Sequence, residues 1–147
     1  MSFLENLYKD VILEHYKRPH NRGALSDASH TQEGVNPSCG DELTLYLRVE
    51  DGTIRDVGFE GEGCAISQAS ASLMTDAIKG ASVERALALS RSFKGMIHGE
   101  PPAPELGELT SLQGIAKLHA RVKCATLAWT TLDAALQRPP RPPAAID

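Results

Sequence analysis

The chain has 147 residues, and 15 Lys and Arg against 19 Asp and Glu give it a formal net charge of −4. This length predicts one compact domain that buries a core without disulfide bonds. The acidic balance excludes the basic face that nucleic-acid binding needs, so no nucleic-acid partner is expected. No apolar run approaches the roughly 20 residues of a membrane span, and no basic region followed by an apolar stretch opens the chain. We therefore expect a cytoplasmic protein without membrane association.

The first part of the chain is predicted to hold one helix followed by a long loop. Ser2 and Glu5 have the spacing of a capping box, and apolar residues then recur at helical intervals. This pattern predicts a helix over about 3–17, ended by Pro19. Positions 18–38 are polar and contain glycines and prolines, so they are expected to form a loop.

The middle of the chain has the pattern of an antiparallel hairpin. Apolar and polar residues alternate over 43–49, and Asp51-Gly52 is a strong turn signal. Apolar positions over 54–59 predict the return strand, with a bulge near Gly58. A third short strand is expected over 60–63, which would complete a small sheet.

The second half of the chain has helical periodicity. The predicted segments are a helix over 65–79 ended by Gly80, a helix over 83–97 capped by Ser82, an irregular Pro-rich stretch over 99–107, a short helix over 109–115 and a helix over 121–136. The order of elements predicts an α+β fold, with an antiparallel sheet of about three strands packed against helices. One domain is expected over 1–137, followed by a Pro-rich, disordered tail over 138–147.

Three cysteines, Cys39, Cys64 and Cys124, carry the main chemical signal. An odd number in a chain without an export signal argues against a disulfide framework. Each could be a small buried apolar residue. However, Cys64 and Cys124 fall near predicted helix N-termini, which favour thiolates, and Cys39 lies two residues from Asp41. Three thiolates and a carboxylate around one tetrahedral ion describe a zinc site, either purely structural or reactive.

Charge within such a site points to a supporting cation. Three thiolates, one carboxylate and Zn²⁺ sum to −2, and Arg121 lies three residues before Cys124, on the same helical face. Lys123 is adjacent to Cys124 but is expected to point elsewhere. Carboxylate is a harder ligand than thiolate or imidazole, which favours a functional over a purely structural site.

Motifs spread along the chain carry a resemblance to a known family. They are the first-helix stretch from Leu7-Tyr8 to His15-Tyr16-Lys17, Asn36-Pro37-Ser38-Cys39-Gly40-Asp41, Gly61-Glu62-Gly63-Cys64-Ala65-Ile66-Ser67, Ser70-Ala71-Ser72-Leu73-Met74, Leu112-Gln113-Gly114 and Ala120-Arg121-Val122-Lys123-Cys124-Ala125-Thr126-Leu127-Ala128-Trp129. Together they resemble the NifU/IscU-like family of iron–sulfur cluster assembly proteins, and within it the SufU branch. The Pro-rich tail lies outside these motifs.

The resemblance implies a SufE/NifU-like α+β fold with Cys39, Asp41, Cys64 and Cys124 as zinc ligands. It also implies a SufS-type cysteine desulfurase as partner and SUF scaffold proteins downstream. In the scaffold branch a histidine precedes the last cysteine, where this chain has Lys123, and the segment around 91–109 resembles the SufU insertion. These features favour a zinc-dependent sulfurtransferase, active only together with a desulfurase. The alternative is a scaffold that assembles a transient [2Fe–2S] cluster on the same ligands.

The expected mechanism makes Cys39 the sulfur acceptor, because Gly40 gives its loop a hinge whereas Cys64 and Cys124 belong to helices. The partner is expected to supply a replacement ligand that frees Cys39, and Arg121 to stabilise the released thiolate or persulfide. A Cys/His hydrolase would need a histidine in a motif near a cysteine. Neither His98 nor His119 has such a motif, and the remaining histidines, His15, His20 and His30, are expected to be structural or solvated.

Overall fold

The computed structural model describes residues 3–137, with side chains from Lys9 onward. Ser2 and the Glu5 side chain of the predicted capping box lie outside this part, as does the predicted tail over 138–147. The elements in chain order are helix α1 (Phe3–Lys17), strands β1 (His30–Asn36), β2 (Asp41–Glu50) and β3 (Thr53–Glu62), helices α2 (Ala65–Ile78) and α3 (Val83–Ile97), 3₁₀ segments Pro104–Lys117 and His119–Arg121, and helix α4 (Val122–Leu136). The predicted α+β class is confirmed. None of the described helices is long and apolar enough to cross a membrane.

The sheet has three antiparallel strands in the order β1-β2-β3. The loop predicted over 18–38 is wrong for 30–36, because this stretch forms β1. Its inward positions carry polar residues or glycine, and its one aliphatic residue, Val35, is 60% exposed. Strand β1 therefore lacks the apolar alternation by which a half-buried strand is recognised from sequence.

The hairpin of β2 and β3 is confirmed, with two corrections. The separate short strand predicted over 60–63 does not exist, since β3 runs without interruption from Thr53 to Glu62. The register irregularity lies between Arg48 and Val49 on β2 rather than near Gly58. Gly58 instead allows a close backbone approach, because a Cβ there would lie 2.3 Å from the carbonyl oxygen of Gly23.

The helices cover one face of the sheet and enclose the core. Strands β2 and β3 contribute buried side chains such as Leu45 and Phe59, and α4 contributes Trp129, which stacks on Phe93 of α3 with ring centroids 5.1 Å apart. Side chains at both helix starts accept backbone N–H groups: Cys64 caps α2 and Ser82 caps α3. The predicted bounds of α1, α2, α3 and α4 agree with the structure to within one residue.

The segment that links α3 to α4 differs from its prediction. Regular structure begins at Pro104, inside the stretch predicted to be irregular, and continues to Lys117 as 3₁₀ helix rather than a short α-helix. Gly107 interrupts this segment with a φ of 53°, in the left-handed region. Its buried residues, including Leu109 and Leu112, close the core between α1, α2 and α3.

Close contact of β1 with α4 leads to a stability prediction. A Cβ on Gly34 would lie 2.0 Å from Oγ1 of Thr131, a buried side chain that also donates to the carbonyl oxygen of Leu127. We expect Gly34→Ala to lower the free energy of unfolding by about 1–3 kcal/mol, since the crowded core must shift to accept the methyl group. Gly114→Ala is the matched control, because nothing lies within 4 Å of its added Cβ. Equal denaturation midpoints for the two variants would contradict the prediction.

Candidate metal centre

Cys39 lies in the tight turn that joins β1 to β2. Asn36 pairs with Asp41 across the two strands, so only four residues separate the paired ends. The Cys39 N–H donates to the carbonyl oxygen of Asn36 at 3.2 Å, which closes the turn, and Gly40 follows with a φ of +73°. The paired strand ends hold the two ends of this turn. Cys39 itself is half-buried, so it is partly accessible from the surface.

Asp41 is the first residue of β2 and is completely buried. Its Oδ1 accepts the backbone N–H of Cys64 at 2.9 Å, whereas its buried Oδ2 has no hydrogen-bond partner among the described residues. Gly63 leaves room for the carboxylate, because a Cβ there would lie 2.5 Å from Oδ1. A buried, unpartnered carboxylate oxygen is costly, and a cation beside it would remove that cost.

The other two thiols are held by helix starts, as predicted. Cys64 is the N-cap of α2, where its sulfur accepts the N–H of Ser67 at 3.4 Å. Cys124 is the third residue of α4, is fully buried, and lies 3.9 Å from Nδ2 of Asn36. These two positions leave little freedom of movement, in contrast to the turn that carries Cys39.

The structure brings three of the four predicted ligands into one cluster. The ligand atoms of Cys39, Asp41 and Cys124 all lie within 4.8 Å of one another. The sulfurs of Cys39 and Cys124 are 3.2 Å apart, much longer than the ~2.05 Å of a disulfide. That separation is slightly shorter than the roughly 3.8 Å expected of two thiolates on one tetrahedral zinc ion. Cys64 lies outside the set of three but close enough to Cys124 to contribute to the raised pKa of the Cys124 thiol.

The surroundings of Cys124 favour its neutral thiol over its thiolate. Burial raises the pKa of the Cys124 thiol, and hydrogen bonds with Cys39, Cys64 and Asp41 raise it further, whereas Arg121 lowers it. The hydrogen bond to Cys124 and the charges of all three cysteines hold the pKa of the Arg121 guanidinium above its ordinary value. The predicted supporting cation therefore acts on the cluster, from the residue immediately before α4.

The donor set fits a zinc ion. Three soft thiolates and one carboxylate supply four ligands, and Gly63 keeps space for the carboxylate. No residue over 3–137 partners the buried Oδ2 of Asp41. Thiolates also bind iron–sulfur clusters, so the donor set by itself fits either group. An ion of charge +2 would favour the thiolate form of Cys124, whose pKa is raised by burial.

Two contributors to the site were not predicted. Gly63 and Asn36 stand inside motifs, but only tertiary packing shows that one spaces Asp41 and the other contacts Cys124. A surface cavity of about 570 Å³ opens beside Cys39, and Lys123, expected to point away from Cys124, lines it. The cavity is lined by Asn36, Ser38, Cys39, His119, Ala120, Arg121 and Lys123.

Sheet, helices and this cluster define the class of protein. The family model of the NifU-like N-terminal domain matches residues 7–141, so the chain belongs to that family and fits its SufU branch. The chain is 46% identical over 138 residues to the zinc-dependent sulfurtransferase SufU of Bacillus subtilis, covering 90% of this chain and 93% of that protein. It is 47% identical over 137 residues to the iron–sulfur cluster assembly scaffold protein IscU of Thermotoga maritima, covering 92% and 96%.

Solved structures agree with the fold. A protein from Fervidobacterium islandicum described as an iron–sulfur cluster assembly scaffold for the SUF system superimposes with a TM-score of 0.84 at 36% identity. The match covers 90% of this chain and 98% of that one. The SufE/NifU-like fold expected from the motifs is thereby confirmed.

Proposed function

We propose that this chain is a zinc-dependent sulfur acceptor of SUF-type iron–sulfur cluster assembly, which takes sulfur from a cysteine desulfurase through Cys39. The observation that carries the proposal is the cluster of Cys39, Asp41 and Cys124, with a buried carboxylate oxygen that has no hydrogen-bond partner within the described part of the chain. The relative named as a zinc-dependent sulfurtransferase, 46% identical to this chain, supports it.

In this proposal Cys39, Asp41, Cys64 and Cys124 hold the zinc ion, and the domain over 1–137 carries the whole activity. Bound zinc would keep the thiols deprotonated at neutral pH. Cys64 completes the set from the N-cap of α2, beside Cys124. Asp41 is a harder ligand than a thiolate, and it therefore sets a zinc affinity at which one ligand of the ion can be exchanged.

Cys39 performs the transfer because it alone combines a surface position with a turn that can open. Its thiolate attacks the outer sulfur of a persulfide on the desulfurase, forming a new S–S bond. The original S–S bond breaks, the desulfurase cysteine leaves as a thiolate, and Cys39 becomes a persulfide. Sulfur is transferred without any external oxidant or reductant, and a SUF scaffold protein then receives it.

Arg121 stabilises the anionic sulfur during this step. Its guanidinium hydrogen-bonds Cys124, and its charge acts on all three cysteines. We expect Arg121→Gln to slow sulfur acceptance several-fold without loss of bound metal. Lys123→Gln, which removes an equal charge from the same cavity, is the control and should slow it less. Equal rates of persulfide formation in the two variants would contradict this role of Arg121.

The partner that this chemistry requires is a cysteine desulfurase of the SufS type, since the acceptor thiol needs a persulfide donor. We place the reaction in the cytoplasm, where thiols are kept reduced. The chain is a catalyst only together with that enzyme, and neither nucleic acid nor membrane takes part.

A second candidate function is a scaffold that assembles a [2Fe–2S] cluster and passes it on. The thiol donors fit such a cluster, and the Thermotoga maritima relative is named as a scaffold. The residue before the last cysteine, Lys123, has no metal-binding nitrogen at neutral pH, which favours the sulfur acceptor.

Metal content and the visible spectrum distinguish the two functions. The purified chain should contain one zinc ion held by the cysteines, show no visible absorption, and markedly raise the turnover of its desulfurase with cysteine. A chelator should abolish that stimulation, and added zinc should restore it. A stable brown protein with bound iron and sulfide, and little stimulation, would instead establish the scaffold.

A further inference from the structure

A second group of metal-binding side chains lies away from the cysteines. His15 on α1, His20 in the turn that follows and Asp76 on α2 have ligand atoms within 4.8 Å of one another. The ring centroids of the two histidines are 4.4 Å apart. His15 is buried, whereas the His20 and Asp76 side chains are 48% and 44% exposed. A purely structural or solvated role, as expected for these histidines, does not explain why three metal-binding side chains lie together.

Both imidazoles are oriented through the same ring nitrogen. Nδ1 of His15 lies 2.7 Å from Oγ of the buried Ser72, and Nδ1 of His20 lies 2.5 Å from Oδ2 of Asp76. Because a carboxylate accepts, Nδ1 of His20 donates to Asp76 and the free lone pair of that ring is on Nε2. The Ser72 hydroxyl occupies Nδ1 of His15, which leaves Nε2 of His15 facing Glu108. A histidine whose other nitrogen donates to a hydroxyl or carboxylate is the usual arrangement of a metal ligand.

Neighbouring hydrogen bonds fix this arrangement. The backbone N–H of His20 donates to Oγ of Ser72 at 2.8 Å, so one hydroxyl positions both histidines. Nδ2 of Asn21 donates to Oδ1 of Asp76 at 3.0 Å and to Oγ1 of Thr75 at the same distance. The turn after α1 is thereby tied to α2, and the candidate ligands are preorganised before any ion binds.

Glu108 supplies a carboxylate on the side of His15 that carries Nε2. Its Oε2 lies 3.7 Å from Nε2 of His15, too far for a hydrogen bond. Two ligands of one tetrahedral ion, each about 2.0 Å from it, are roughly 3.3 Å apart, so a small movement of the exposed Glu108 suffices.

A cavity gives this cluster access to solvent. It measures about 360 Å³, and His20 lines it together with three carboxylates, those of Asp76, Glu105 and Glu108, against one cation, Arg85. The excess of negative charge favours entry of a cation. The cavity therefore provides both a path and an electrostatic reason for an ion to reach His20 and Glu108.

The geometry points to a second metal site, for one divalent transition-metal ion, bound through Nε2 of His15 and His20 and the carboxylate of Glu108, with Asp76 orienting the His20 ring. Imidazole and carboxylate ligands suit zinc, cobalt and nickel, whereas a site without thiolates does not select iron–sulfur clusters. The site joins α1 to α2 and to the 3₁₀ segment over 104–117. It does not depend on the function proposed for the cysteines.

Equilibrium dialysis of the full chain against zinc tests the proposal. The wild-type chain should bind two zinc ions, and Cys39→Ala should keep the histidine-bound ion. His20→Ala, at an exposed position, should lower the affinity of the second ion 10–100-fold while leaving the first bound. Asp76→Asn should weaken binding of the same ion. This variant tests the site if His20→Ala does not fold. His98→Ala, at another exposed histidine, is the matched control.

Two outcomes would overturn the inference. One is a wild-type chain that takes up no second zinc ion at micromolar concentrations. The other is a second ion bound equally well by wild type, His20→Ala and Asp76→Asn, which would locate it elsewhere. A second ion that is lost from both variants but kept by His98→Ala would establish the site.

Discussion

Replacing Cys39 by alanine should abolish sulfur acceptance and leave the fold intact. Alanine removes the only thiol in a turn, whereas the backbone bond from residue 39 to the carbonyl oxygen of Asn36 is kept. The side chain is not part of the hydrophobic core, so little unfolding free energy is lost. Mass spectrometry after incubation with the desulfurase and cysteine should find no persulfide on the variant.

Ser38→Ala is the control for Cys39→Ala, because Ser38 is exposed in the same turn and carries no thiol. It should accept sulfur at nearly the wild-type rate. Zinc analysis and circular dichroism of both variants separate a lost acceptor from a lost fold. Normal persulfide formation on a folded Cys39→Ala chain would move the acceptor role to Cys64 or Cys124.

Adding one methyl group at Gly63 should weaken metal binding 10–100-fold although all four proposed ligands remain. The new Cβ would lie 2.5 Å from Oδ1 and 3.1 Å from Cγ of Asp41. Asp41 is completely buried, so its carboxylate cannot move away without disturbing the N–H of Cys64 that it accepts. Affinity is lost because the new methyl group displaces the Asp41 carboxylate. Mutations that disturb the orientation of a metal ligand typically lower affinity by about this factor. Competition with a chromogenic chelator gives the affinity of each variant.

Gly114→Ala again serves as the control, since its added Cβ meets no heavy atom within 4 Å. It should bind zinc as the wild type does. Unchanged zinc affinity in a folded Gly63→Ala chain would show that Asp41 is not a ligand. A variant that loses both zinc and structure would be compared with Gly34→Ala, which crowds the core away from the cysteines.

Local signals sufficed for the elements that bury apolar residues at a regular period. The alternation in β2, the Asp51-Gly52 turn, the Ser82 cap and the apolar faces of α2 and α4 each act within a few residues. Strand β1 was not predictable in this way. Its inner face packs against α4 at Gly34. The residues suited to that face are set by contact with α4, which only the tertiary structure shows.

The candidate site was predictable in its residue types more than in its geometry. Chain positions placed Cys64 and Cys124 at helix starts and Arg121 beside Cys124, as the structure has them. The paired ends of β1 and β2, which shape the turn of Cys39, depend on a strand that the sequence does not reveal. The contact of Gly63 with Asp41 spans 22 positions of the chain, and no local pattern encodes it.

The short turn between β1 and β2 limits how far the acceptor sulfur can travel. Cys39 is two residues from Asp41, whose backbone is paired in the sheet, and an extended chain spans at most about 3.6 Å per residue. The backbone of Cys39 can therefore move no more than about 7 Å from its anchor, even with the turn fully open. A carrier on so short a tether cannot search for its donor, and the donor's persulfide must be the group that extends across the gap.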